Sequence, residues 1–340
     1  MSKRLILTTR ALCLSATLFT SSHLVAAADW ESLPPLPEPN GGFVSGASDS
    51  RLVIIGGTNW EGGTKHWLSS IREYEPAKRK WTKVGDLVAG PIAYATALQK
   101  SPSDGPNMLA FVGGTDGKRA QKTLVAVDGS QTRPIPVVGL PDALVLSAGG
   151  EIDGAKFIVG GTDDPANLAG CQRSAHRLSI ANYKWSVKKL PDYPGKPFCT
   201  AASATAGREL FVFGGANWDA AASAVVNASE SYAFSIDQNS WRKLKPLPFA
   251  VRGVTAVALD DHRIYVAGGF KTDPEGFTSD AFIYDVKADN YSPARPLPYA
   301  AMVGLVRLGG FVYCIGGEDK MKHRSDKFFR IAVSELTRSR

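Results

Sequence analysis

The stretch Tyr313-Cys-Ile-Gly-Gly-Glu-Asp-Lys-Met-Lys-His-Arg-Ser-Asp-Lys327 decides the fold, because its first half occurs six times along the chain. Each copy is an apolar run that ends in Gly-Gly. The six copies occupy residues 52–57, 108–114, 157–161, 210–215, 264–269 and 312–317. Only the last copy is followed directly by a carboxylate, Glu318, and six residues later by an arginine, Arg324. The repeat predicts the architecture, and this exception to it predicts where chemistry takes place.

A second repeat places an apolar or aromatic residue seven positions before an aromatic one. The four pairs are Tyr74 and Trp81, Leu178 and Trp185, Phe234 and Trp241, and Tyr284 and Tyr291. We expect two consecutive strands and the turn between them to keep one geometry in all four places. The glycine pairs recur about every 50 residues, which is the period of kelch-type propeller blades. The two repeats predict an all-β fold, a six-bladed kelch-type β-propeller.

The N-terminal segment predicts how the ring closes. Trp30 is followed six residues later by Leu36-Pro37, which repeats the end of a blade, whereas the last copy supplies three strands within residues 299–335. We therefore expect residues 29–33 to form the outermost strand of blade six, because closure removes the unpaired sheet edge. The predicted blades are residues 41–87, 90–138, 141–190, 197–246, 250–296, and 299–335 completed by 29–37. Residues 29–340 are expected to form a single domain.

Residues 1–28 have the pattern of a secretory signal. Three basic residues precede an apolar stretch that ends in small residues, with cleavage expected near Ala28. We therefore expect a periplasmic or secreted protein with no membrane insertion. Loss of this segment lowers the formal net charge of +7 by three, which is too mild a charge to predict nucleic-acid binding.

Three cysteines follow the signal segment. An odd count in an oxidising compartment permits one bridge and one free thiol. Cys171 lies in the loop after one Gly-Gly pair and Cys199 opens the next blade, so we predict a disulfide between them. Two free thiols are the alternative. Cys314 lies inside an apolar strand and is expected to be a buried, unreactive thiol.

The loops that follow each Gly-Gly pair and those that open each blade should share one rim around the central channel. Glu318 is a candidate proton-transfer group beside Arg324, and the alternative is a rim ion pair of little energy. Arg252 opens blade five and could receive a ligand carboxylate or bind a rim aspartate. The remaining candidates are loop residues that could contact a sugar or pack the loops, namely Asn59, Trp60 and Asn217. No histidines have metal-ligand spacing, so we expect neither a metal nor a cofactor.

These residues resemble a known family, the N-acetylneuraminate epimerases or sialic acid mutarotases, in their cyclically permuted branch. The similar segments are Trp30-Glu-Ser-Leu-Pro-Pro-Leu-Pro37, Gly41-Gly-Phe-Val-Ser-Gly46, Gly56-Gly-Thr-Asn-Trp60, Lys65-His-Trp67, and Gly317-Glu318 with Arg324-Ser325-Asp326. The chain departs from the family at Phe198-Cys199-Thr200, where the family can place an arginine.

The resemblance implies interconversion of the anomers of an acidic sugar, with N-acetylneuraminate as the leading substrate. Glu318 would exchange the proton of the anomeric hydroxyl. Arg324 would hold the sugar carboxylate or steady the developing oxyanion, with Arg252 as a second clamp. The alternative is a non-catalytic kelch propeller that binds a glycan or a protein partner on the same rim. The oligomeric state is left open.

Overall fold

The computed structural model describes residues 29–48, 50–100, 109–128, 131–135, 140, 142–181 and 184–337. The predicted signal segment, residues 1–28, lies outside these residues. Within them, no helix is both long and apolar enough to span a bilayer.

Short strands account for almost all of the regular secondary structure in the described residues, as the Gly-Gly and aromatic repeats predict. The strands are β1 (Glu31–Ser32), β2 (Val44–Ser48), β3 (Arg51–Ile55), β4 (Thr58–Glu61), β5 (Thr64–Trp67), β6 (Ser70–Glu75), β7 (Lys80–Asp86), β8 (Thr96–Ala97), β9 (Leu109–Val112), β10 (Leu124–Asp128), β11 (Gln131–Ile135), β12 (Ala148–Ile152), β13 (Ala155–Val159), β14 (Ala175–Ala181), β15 (Lys184–Lys189), β16 (Ala202–Ala206), β17 (Glu209–Phe213), β18 (Ala216–Asp219), β19 (Ala224–Asn227), β20 (Ser231–Ser235), β21 (Ser240–Lys243), β22 (Thr255–Ala258), β23 (Arg263–Ala267), β24 (Ala281–Asp285), β25 (Asn290–Pro293), β26 (Met302–Leu308), β27 (Phe311–Glu318) and β28 (Phe328–Ala332). A 3₁₀ turn spans Leu168–Gly170, and the helix α1 spans Val333–Leu336.

In the described residues these strands form six four-stranded antiparallel sheets, the blades, and two separate hairpins. The sheet orders are β2-β3-β6-β7, β8-β9-β10-β11, β12-β13-β14-β15, β16-β17-β20-β21, β22-β23-β24-β25 and β26-β27-β28-β1. The first strand of each blade contacts the first strand of both neighbouring blades, which closes a ring around a central channel. The hairpins β4–β5 and β18–β19 follow the Gly-Gly pairs of blades one and four. The six-bladed propeller predicted from the sequence is confirmed.

The N-terminal segment completes blade six, as predicted. Strand β1 pairs with β28, with Glu31 opposite Arg330. The backbone N–H of Leu33 donates to the carbonyl of Phe328 at 2.9 Å. Leu33 and Leu36 are buried in an apolar cluster between blades six and one. Closure therefore combines a short strand pairing with buried leucines.

The aromatic repeat describes three blades correctly and one incorrectly. In blades one, four and five the paired aromatic residues lie directly opposite each other across the two outer strands. In blade three, Leu178 lies opposite Val187, and Trp185 lies opposite Ile180. Strand β14 extends two residues further toward its turn than the matching strands elsewhere, so the partner of Leu178 shifts by two positions. The prediction of one common geometry is wrong for blade three.

Candidate functional site

Five blades present an equivalent residue at the channel mouth, two positions before their innermost strand. These residues are Gly42, Tyr94, Leu146, Thr200 and Gly253, with φ angles of 69°, 58°, 58°, 57° and 63°. These residues are hydrogen-bonded from blade to blade. The N–H of Tyr94 donates to the Gly42 carbonyl at 2.7 Å, and Leu146, Thr200 and Gly253 each donate in the same way to the mouth residue of the blade before, at 3.0 Å. The mouth is thus lined by a hydrogen-bonded arc of peptide groups in a backbone conformation that is uncommon for residues other than glycine.

Blade six breaks this arc and supplies the charged pair. Its innermost strand β26 begins at Met302, which lies opposite Glu318 at the end of β27. Glu318 follows Gly317, whose φ is 100°. A Cβ on Gly317 would lie 2.0 Å from the Met302 carbonyl oxygen, so only glycine fits there. The Gly-Gly pair thus places Glu318 at the channel mouth.

Arg324 is buried at the mouth, with 4% of its surface exposed. Its Nη1 atom lies 3.0 Å from Glu318 Oε2 and also donates to the carbonyl of His323 at 2.9 Å. Its Nε donates to Thr58 Oγ1 at 3.1 Å, and its Nη2 donates to the Tyr94 hydroxyl at 3.4 Å. Residues of blades six, one and two therefore hold this guanidinium. The predicted partner Glu318 keeps a third of its side chain exposed.

Gly41 makes room for the buried arginine. A Cβ at this position would lie 2.4 Å from Arg324 Cδ and 2.8 Å from its Nε. The N-terminal segment and the loop that carries Arg324 also share backbone hydrogen bonds, since Asn40 N–H donates to the Ser325 carbonyl at 3.2 Å. The segment that closes the ring is thus also a wall of the site.

The pair faces a cavity of about 250 Å³ at the channel mouth, which is lined by all five mouth residues together with Glu318 and Arg324. A larger cavity of about 620 Å³ adjoins it over blades one to three. Tyr94 and Leu146 line both cavities. The combined space is in the range of small-molecule sites.

Lys65 and Trp67, on the hairpin β4–β5, line the larger cavity. The Lys65 ammonium donates to the Tyr94 hydroxyl at 2.7 Å. It also lies 4.5 Å from the centre of the Trp67 ring and 4.8 Å from that of Tyr94. Sequence reasoning did not select Tyr94. The feature that could have identified it is its residue type, because a tyrosine stands at the mouth position where blade one has a glycine and blade three has a leucine.

The structure places Arg252 beside the mouth rather than on it. The equivalent mouth residue of blade five is Gly253, one position later. The Arg252 guanidinium lies 4.4 Å from the centre of the Phe270 ring, and its Nη1 donates to Asn227 Oδ1 at 3.1 Å. Arg252 is not part of the lining of the cavity that contains Glu318, and its predicted contact with a ligand carboxylate stays a prediction.

The other sequence candidates lie on the two hairpins. Asn59 and Trp60 belong to β4, and the Asn59 side-chain oxygen accepts the backbone N–H of Trp60 at 2.7 Å. The Trp60 ring lies 5.8 Å from the ammonium of Lys322. Asn217 belongs to β18, opposite Val226. None of these three candidates lines either of the two cavities, and their sugar contacts stay a prediction.

The predicted disulfide is present. Cys171 and Cys199 are bonded, with their Cα atoms 5.8 Å apart. The bridge joins the rim loop of blade three to the residue that precedes Thr200 at the mouth. Cys314 is a buried free thiol, as predicted, and burial raises its pKa. In the part of the chain that the structure describes, no three His, Cys, Asp or Glu side chains are grouped to hold a metal ion.

Comparison with known proteins agrees with the geometry. The kelch motif matches residues 39–88, which cover blade one. The fold is a kelch-type β-propeller. Kelch-like protein 35 of Mus musculus is 30% identical to this propeller over 180 residues, which is 52% of this chain and 28% of that protein. Kelch-like protein 36 of Mus musculus is 22% identical over 294 residues, 84% of this chain and 43% of that protein.

The chain spans less than half the length of each of these curated relatives. Kelch-like protein 25 of Homo sapiens follows the same pattern, with 22% identity over 273 residues and 42% of that protein covered. Among solved structures, that of YjhT superposes with a TM-score of 0.69 and 14% identity, covering 88% of this chain and 97% of that one. This likeness shows the shared fold.

Proposed function

We propose that this propeller interconverts the two anomers of an acidic sugar, with N-acetylneuraminate as the first substrate to test. One observation carries the proposal: a one-third exposed carboxylate, Glu318, is held by the buried Arg324 at the wall of a cavity in the channel mouth. The resemblance of Gly317-Glu318 and Arg324-Ser325-Asp326 to the mutarotase signature supports the same reaction.

Mutarotation opens a cyclic hemiketal and closes it again on the other face of the carbonyl. The reaction needs a base for the proton of the anomeric hydroxyl and a donor for the ring oxygen. Arg324 binds Oε2 of Glu318, which leaves Oε1 to exchange the anomeric proton. Such a positioned acid–base group contributes roughly 10²- to 10⁴-fold in rate.

The contacts of Arg324 define its role in this reaction. A guanidinium has five N–H donors and does not release a proton at neutral pH. Three of the five donate hydrogen bonds within the protein, to Thr58, Tyr94 and the His323 carbonyl, and Nη1 is also held in an ion pair with Glu318 at 3.0 Å. With these contacts in place the guanidinium cannot form a two-pronged clamp on the sugar. Arg324 therefore acts mainly by fixing Glu318 and by placing positive charge beside the reacting centre.

The test is the rate at which the α anomer, freshly released by a sialidase, converts to the β anomer, followed by proton NMR. Glu318→Gln should slow the catalysed rate by roughly 10²- to 10⁴-fold, because glutamine keeps an oxygen for Arg324 but cannot take a proton. Binding, measured by titration calorimetry with the equilibrated sugar, should change little.

Glu75→Gln is the matched control. The Glu75 side chain is 31% exposed, against 33% for Glu318, and it also pairs with a cation, Lys78. This variant should convert the sugar at the unaltered rate. A protein that converts the sugar no faster than buffer does, or a Glu318→Gln variant at full rate, would refute the proposal.

A second candidate function is non-catalytic binding of a glycan or a protein on the same rim. The hairpin β18–β19 favours it, because it exposes Trp218 and Val226 at 37% and 45%. Sugar binding without any acceleration of anomer exchange would support this function instead. For either function we propose a periplasmic or secreted location, which the Cys171–Cys199 disulfide supports.

A further inference from the structure

The hydroxyl of Tyr94 has a hydrogen-bond pattern that points to a second proton-transfer group. Lys65 Nζ lies 2.7 Å from this oxygen and Arg324 Nη2 lies 3.4 Å from it. Ammonium and guanidinium groups only donate hydrogen bonds, whereas a phenol has one proton and two lone pairs. Both lone pairs of the Tyr94 oxygen therefore accept from cations, and its proton is left to donate.

That proton has no protein acceptor among the described residues, since both hydrogen-bond partners of the Tyr94 hydroxyl are donors. Tyr94 lines the cavity that also contains Glu318 and the larger adjoining cavity. A cavity-facing group with a free O–H and two adjacent cations suits proton donation, because the cations stabilise the negative charge that forms on the oxygen.

We propose that Tyr94 is the general acid that protonates the ring oxygen of the sugar, while Glu318 takes the anomeric proton. The inference rests on the proposed anomer exchange and adds the second group that this reaction requires. Lys65 acts as a positioning residue, because it holds the Tyr94 hydroxyl and compensates its charge.

The atoms balance in each direction. Glu318 Oε1 removes the anomeric hydroxyl proton, and the electrons of that O–H bond form the carbonyl. The bond between the anomeric carbon and the ring oxygen breaks, and the ring oxygen takes the Tyr94 proton. After rotation about the carbon–carbon bond next to the carbonyl, the same hydroxyl attacks the other face. The Tyr94 oxygen then recovers its proton and Glu318 returns its own, so no oxidant or cofactor is needed.

The fold fixes the position of Tyr94. Its φ of 58° places it in the left-handed region at the mouth. Its ring covers Gly42, where a Cβ would lie 2.5 Å from the Tyr94 Cε1 atom. The edge of the ring meets Trp67, with ring centres 5.9 Å apart and planes at 88°. Phenylalanine can keep all of these ring contacts, so Tyr94→Phe removes the hydroxyl without changing the packing of the ring.

The experiment measures anomer exchange by proton NMR in Tyr94→Phe. We expect kcat to fall by roughly 10²- to 10⁴-fold, with KM changed by less than about threefold, since the group acts in the transition state. Tyr291→Phe is the control, because among the described residues its hydroxyl contacts Ser231, at 3.3 Å, and neither residue lines the cavity that contains Glu318. It should retain the wild-type rate.

Two further measurements separate catalysis from structure. Lys65→Met should lower kcat by about 10- to 100-fold, the range of one charge-assisted hydrogen bond, and Lys65→Arg should restore part of it. Fluorinated tyrosines of graded acidity at position 94 should change kcat in step with acidity, which a packing role would not produce. These two tests also decide the matter if Tyr94→Phe fails to fold.

The outcomes distinguish this inference from the proposed function. If wild-type protein gives no acceleration, both are wrong. If wild-type protein is active and Glu318→Gln is slow, but Tyr94→Phe and the fluorinated series keep the wild-type rate, only the role of Tyr94 is overturned.

Discussion

The closure of the ring can be tested with the double variant Leu33→Ala and Leu36→Ala. Strand β1 contributes only two residues to the sheet, so most of the closure energy must come from side chains. Leu33 and Leu36 are 5% and 3% exposed. Replacing a buried leucine by alanine costs about 2 to 5 kcal/mol. We therefore expect the double variant to lose about 4 to 10 kcal/mol, against a typical total of 5 to 15 kcal/mol.

The assay is urea denaturation followed by tryptophan fluorescence and circular dichroism, which should report one coincident transition. The expected result is a large fall in the midpoint, or a chain that is unfolded in buffer. Val88→Ala is the control, because Val88 is 94% exposed and such a change should stay within about 0.5 kcal/mol. A double variant whose free energy of unfolding falls by less than about 1 kcal/mol would refute the closure argument, since truncating two buried leucines in a core costs more than this.

Two further predictions follow from the packing around the site. Gly41→Ala places a Cβ 2.4 Å from Arg324 Cδ, so it should displace the guanidinium and slow anomer exchange by roughly 100-fold. The control is Gly85→Ala, whose Cβ meets no atom within 4 Å and which should exchange anomers at the wild-type rate. A Gly41→Ala variant with the wild-type rate would contradict the prediction. Replacing both Cys171 and Cys199, 28 residues apart, by serine should cost about 3 to 4 kcal/mol of stability in denaturation curves. Reductant should lower the midpoint of the wild type but not that of this variant, and a wild type insensitive to reductant would contradict the prediction.

The sequence predicted the blades well because each Gly-Gly pair marks a place where only glycine fits the backbone. The predicted pairing of Leu178 with Trp185 was wrong in blade three, because a spacing of seven residues is compatible with turns of two different lengths and therefore with two registers. In blade one a four-residue turn puts Tyr74 opposite Trp81, whereas in blade three the strands continue and Leu178 meets Val187. Spacing alone does not report the register of a hairpin; the turn length does.

The candidate site was predictable where its residues are neighbours in the sequence. Glu318 and Arg324 share one loop, and their position after a Gly-Gly pair was enough to select them. Tyr94 lies 230 positions from Arg324 along the chain, and only the closed ring brings the two together. Arg252 precedes Gly253, whose positive φ marks the mouth position of blade five, and the sequence alone did not show which of these two neighbours faces the channel.

Closure of the ring and the geometry of the candidate site are coupled in this fold through one short segment. The N–H of Leu36 donates to the Asp326 carbonyl at 2.8 Å, and that of Asn40 donates to the Ser325 carbonyl at 3.2 Å. Both acceptors lie within two residues of Arg324, so the segment that seals blade six also holds the loop that carries the guanidinium. Local opening of a terminal segment costs less free energy than global unfolding. Local opening of the closure should therefore disturb Arg324 and its partner Glu318 at a smaller cost in free energy than cooperative unfolding of the ring.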